Sequence, residues 1–134
     1  MNTLFQDCDV ISVYTRKQAI EDGVLADLRQ GGLEEVCRQL TSWPIACTST
    51  VFHECIEVTP AAKQARCDMK GRLWDVLWMM KRAIQTSGRP TDTVYFDVLV
   101  VIDRMKPTLT KFKAVCGPDD DGRPCITIMY PHED

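Results

Sequence analysis

His53-Glu54-Cys55 is the one place in the chain where an imidazole, a carboxylate and a thiol adjoin. A thiol nucleophile needs a base within hydrogen-bond reach, and a zinc site needs about four converging ligands. Neighbouring residues on a helix point about 100° apart, and His53 and Cys55 diverge further. The triplet matches neither the H-E-x-x-H pattern nor that of the zinc deaminases. The spacing predicts an ordinary helical surface with Cys55 turned inward, and no catalytic residue is assigned.

Asp119, Asp120 and Asp121 precede Gly122 and suggest a cation loop. An EF-hand alternates its ligands and closes on a glutamate at its twelfth position. Three consecutive carboxylates splay instead, so the expectation is a solvated hairpin turn with Gly122 at positive φ. There is no phosphate-cradling glycine loop and no nucleophile elbow, so no metal and no cofactor is predicted. Trp74 and Trp78 sit one helical turn apart beside Lys81 and Arg82. Exposed, they would anchor a protein partner or stack a base; buried, they would fill a second packed side of their helix.

The elements that must position these residues can be read from spacing. Val10 to Tyr14 is a β-branched run and reads as a strand. Thr15 and Gln18 have capping-box form, predicting a short helix that stops at Gly23. Val24 to Leu28 reads as extended or irregular. Leu33, Val36, Cys37 and Leu40 share one helical face, which ends at Trp43-Pro44. Ser49 to Glu57 predicts another short helix, and Thr59-Pro60 a further helix start. The clearest helix runs over 68–85, capped by Asp68 and ended by Ser87-Gly88-Arg89-Pro90. Its apolar stripe holds Met69, Leu73, Val76, Leu77, Met80, Ala83 and Ile84, with Trp74 and Trp78 off it.

Residues 93–103 alternate, with Val94, Phe96, Val98, Val100 and Ile102 on one side. Strands at 109–116 and 125–130 follow. The expected fold is α+β: an antiparallel C-terminal meander packed with the long helix and shorter N-terminal helices, one domain over 1–134.

The 134 residues suffice for a core, and the 45% apolar and 26% charged fractions are ordinary. No run of about 18 apolar residues exists, and no basic region leads an apolar stretch at the N-terminus. The seven cysteines form no C-x-x-C pair, so reduced thiols in a cytoplasm are expected. The net charge of −3 is segregated. Residues 117–134 carry five acids against one base, and residues 63–89 carry seven bases against two acids. Such asymmetry steers partners, or lets the acidic end fold back onto a basic segment.

Three blocks, Val10 to Leu28, Gly71 to Ile84 and Leu109 to Asp134, resemble the domain of unknown function 6573 family. These are short proteins of bacterial plasmids, phages and other mobile elements. The resemblance covers roughly half the chain and implies an accessory protein of mobile DNA, a setting in which counter-defence inhibitors and adaptors occur. Tyr14, Thr15 and Gly23 also resemble the opening of ADP-ribosyltransferase-type folds, although no catalytic glutamate can be placed.

The expected function is a non-enzymatic protein-interaction module. Its surface would comprise Trp74, Trp78, Lys81, Arg82, Asp119, Asp120 and Asp121, its partner a protein, with no membrane involved. The alternatives are a small enzyme of the kind the second resemblance implies, or a nucleic-acid-binding accessory protein. The net acidity and the lack of a recognisable nucleic-acid motif disfavour the latter.

Overall fold

The computed structural model describes residues 15–87, 92–103 and 106–133. The strand expected at Val10 to Tyr14 lies outside them, as do Cys8, the Gly88-Arg89-Pro90 stop, Arg104 and Asp134.

Helix α1 (Arg16–Glu21) is delimited by its own sequence. Thr15 Oγ1 accepts from the Gln18 amide at 3.1 Å, and Gln18 Oε1 accepts from the Thr15 amide at 3.2 Å. This reciprocal pair occupies donors that the first turn leaves open. At the other end Gly23 takes φ 79°, and the amides of Gly23 and Val24 return to the carbonyls of Ile20 and Ala19. That closure needs a left-handed residue, which is why glycine stands there.

Strand β1 (Leu25–Asp27), helix α2 (Glu34–Leu40) and strand β2 (Ile45–Thr48) follow. Helix α3 (Ser49–Val51) is capped by Thr48 and runs into a π-helical turn over Phe52–Ile56. Helix α4 (Pro60–Gln64) has Thr59 as its cap and proline in its first turn. Helix α5 (Met69–Thr86) starts at Asp68, whose carboxylate accepts from the Gly71 amide at 2.7 Å. A Cβ at Gly71 would lie 2.6 Å from that carboxylate oxygen, so the glycine makes room for the cap.

Strands β3 (Thr93–Val100), β4 (Thr108–Pro118) and β5 (Pro124–Met129) form the expected antiparallel meander. Among the described residues the sheet has five strands in the order β1-β2-β5-β4-β3. Two pairings are absent from the expectation: β1 with β2, which is antiparallel, and β2 with β5, which is parallel. All four residues of β2 are buried. A strand covered on both faces loses its alternation, so the short run Ile45-Ala46-Cys47-Thr48 carried no period to detect.

Leu73, Val76, Leu77 and Met80 of α5 pack in one core cluster with Phe96, Val98, Val100, Phe112, Ala114, Ile126 and Ile128 of the sheet. Each of these larger side chains contributes about 1.5–3 kcal/mol by leaving water. Ile84, expected on the same stripe, is exposed in the last turn. Among the described residues no helix is long and apolar enough to cross a membrane.

Candidate interaction face and the groups around it

With one arc of α5 fixed in the core, the helical period turns Trp74 and Trp78 outward. Their relative exposures are 38% and 42%, so neither fills a second packed side. The ring centroids are 6.2 Å apart and the planes differ by 7°. The i, i+4 spacing places them in register, and stacking contributes about 0.5–1.5 kcal/mol beyond area burial. Lys70 and Arg82 are exposed on the same helix, and Lys81 is half-buried. The result is a rigid aromatic plate with cationic neighbours.

The acidic loop lies with different company. Asp119 organises the β4–β5 turn: its carboxylate accepts from the amides of Asp121 and Arg123, both at 2.9 Å, and its amide donates to the Arg123 carbonyl at 2.7 Å. Those hydrogen bonds, the Arg123 one first, hold its carboxyl below the usual range. Gly122 takes φ 81°, as expected of the turn.

Asp120 reaches the start of α1. Its two carboxylate oxygens accept from the amides of Arg16 at 2.9 Å and Lys17 at 3.0 Å. The Arg16 side chain in turn donates to Thr127 Oγ1 and the Ile126 carbonyl on β5. The acidic segment does fold back, then, but onto the N-terminal helix. Asp120→Ala is expected to cost about 1 kcal/mol, the usual worth of such a cap. Urea unfolding, with hydrogen exchange at the Arg16 and Lys17 amides, measures it; unchanged exchange there would contradict the docking role.

Cys55 turns inward as expected and His53 faces solvent, but the segment is a π-helical turn, and Glu54 and Cys55 meet at one hydroxyl instead of diverging onto an ordinary helical surface. Exposed His53 pairs with Glu57 through Nδ1 at 2.9 Å. The Tyr130 hydroxyl donates to Glu54 Oε1 at 2.5 Å and also contacts Cys55 Sγ at 3.3 Å. The Tyr130 ring stacks between Phe112 and His132 at 5.7 and 5.8 Å. Burial first, then the bonds to Cys55 and Glu54, push the phenol far above its usual range. Cys55 is pushed up to about 11, mainly by burial, and Cys37 likewise to about 11. Thiols this far from ionising are poor nucleophiles and behave as packed apolar groups.

Thr15 lines an open cleft of about 610 Å³ together with Asp119 and Asp120. Its hydroxyl is engaged by the Gln18 amide, and His53 is engaged by Glu57, so the two residues serve separate local structures. Tyr14 lies outside the described residues.

Spacing did not single out Arg72. It is buried on α5 and donates to the carbonyls of Val101 at 2.7 Å and Glu54 at 2.5 Å. The signal was present: at 100° per residue, position 72 falls on the same arc as Met69 and Val76. An arginine on an apolar arc must find acceptors inside.

Compared with known proteins, residues 1–134 match the model of one family, described as a family of unknown function (DUF6573). No curated protein and no solved structure matches the chain.

Proposed function

We propose that this chain, which belongs to the DUF6573 family of unknown function over its whole length, is a non-enzymatic protein-interaction module that docks through the outer face of α5. The observation that carries the reading is the exposed, near-parallel stack of Trp74 and Trp78. Each indole exposes apolar area that gains by leaving water, and the stack orders both rings before a partner arrives. Tryptophan and arginine are the residues most enriched among binding hot spots. Lys70, Lys81 and Arg82 favour a partner whose contact surface is acidic.

In the mobile-element setting that the resemblance implies, such a module works in the cytoplasm as an inhibitor or adaptor of a host protein. Asp121 remains available to a rim, whereas Asp119 and Asp120 already serve the turn and α1. The test is capture from host extract on immobilised wild type and Trp78→Ala, with a single-stranded oligonucleotide titrated in parallel. A defined protein retained by the wild type and lost by the variant supports the reading. An identical retained set, or an oligonucleotide that binds the wild type and not the variant, overturns it.

A further inference from the structure

Among the described residues, strand β3 is the last strand of the sheet, with β4 on one side. Its eight residues show the alternation of a half-buried strand, with Tyr95 and Leu99 exposed at 57% and 64%. Edges of this length and apolarity are templates for another extended segment. Helix α5 packs beside it, and between them, at the Val100 end of β3, lies a cavity of about 170 Å³. Its walls include Arg72 and Asp75 of α5, Val98 to Val101, and Pro107.

Arg72 is 6% exposed, and its buried Nε has no hydrogen-bond partner among the described residues. A guanidinium has five N–H donors, and the acceptors found for it are two neutral carbonyls. Among the described residues no carboxylate forms an ion pair with it. A desolvated cation with no carboxylate bonded to it favours an incoming anion. Met79 lies one turn after Asp75, on the same side of the helix, and is 38% exposed.

We infer that the groove between β3 and α5 receives an extended segment of a partner protein, paired to the edge of β3 over residues 95–100 and carrying an Asp or Glu side chain that enters the cavity to Arg72. Side chains of the added strand alternate in direction. On the helix side an apolar residue two positions from the acid meets Met79; on the other side the neighbours meet Tyr95 and Leu99. A second copy of this chain fits the edge poorly. Pairing of two β3 strands about their middles brings the two Asp97 carboxylates together, and like charges facing one another destabilise a ladder.

Asp75 repels the incoming acid, so it supplies a directional control that spares Arg72, whose removal would also disturb the fold. The probes are an N-acetylated, C-amidated peptide of alternating valine and threonine with one central glutamate, and the same peptide with glutamine. Amide and Arg Nε–H shifts of the full chain are followed by NMR, with sedimentation alongside. The glutamate peptide is expected to shift the β3 amides and the Arg72 Nε–H, at least tenfold more tightly than the glutamine peptide. Asp75→Asn is expected to tighten it several-fold, and Trp78→Ala to leave it unchanged, which separates this groove from the tryptophan face. Equal binding of the two peptides, no β3 shift with either, weaker binding by Asp75→Asn, or sedimentation as a β3-paired dimer would each overturn the inference.

Discussion

Phe112→Ala is expected to lower the unfolding free energy by about 3–5 kcal/mol, the range for deleting a fully buried aromatic ring. Phe112 has no exposure, and its ring stands 5.6 Å from Phe96 and 5.7 Å from Tyr130 by centroid. The substitution removes the middle of that series and leaves a cavity that strands β3 and β5, already paired to β4, cannot easily close over. A domain of this size holds only about 5–15 kcal/mol in total, so the variant approaches the limit of folding. Phe112→Leu keeps much of the volume and is expected to cost less than half as much. Urea unfolding measures both, and a loss below about 1 kcal/mol for the alanine variant would contradict the packing described. The effect also reaches the polar cluster beside it. Tyr130 leans on Phe112, so its hydroxyl bonds to Glu54 and Cys55 should loosen.

Trp78→Ala is expected to behave in the opposite way, with little change in stability and a large loss of binding. Its side chain is 42% exposed and lies off the buried arc of α5, so unfolding should shift by about 1 kcal/mol at most, chiefly the lost stack with Trp74. A tryptophan at the centre of an interface contributes at least about 2 kcal/mol when truncated, or roughly thirtyfold in affinity. Titration of the captured partner by calorimetry, with urea unfolding of the same sample, separates the two quantities. A loss of binding that tracked a loss of stability would mean that the indole is structural.

Much of this architecture is local chemistry and could be read directly. The Thr15–Gln18 box, the Asp68 cap, the Thr59-Pro60 start and the Gly122 turn each need only neighbours within four residues, and each is in place. The off-stripe position of Trp74 and Trp78 was equally legible, because a helix fixes what faces away from its apolar arc. What sequence spacing could not reach depends on pairing across distance. Strand β2 meets β5 with most of the helices between them in the chain, and its four buried residues show no alternation. Asp120 caps a helix more than a hundred residues earlier. Composition marked it as part of a charged turn, and only the sheet brings it to the Arg16 amide. Arg72 shows the same limit: its arc is legible, its acceptors at Val101 and Glu54 are not.

The claim that the α5 face is where a partner lands is tested most directly by the tryptophans themselves. Trp43 is the third tryptophan and is also exposed, so Trp43→Phe leaves Trp74 and Trp78 as the only indole emitters. Acrylamide quenching of that variant should fall at least twofold when the captured partner saturates it, with a blue shift of the emission as the stacked rings leave water. Quenching and emission that stay unchanged in the saturated complex would place the partner elsewhere and contradict the account.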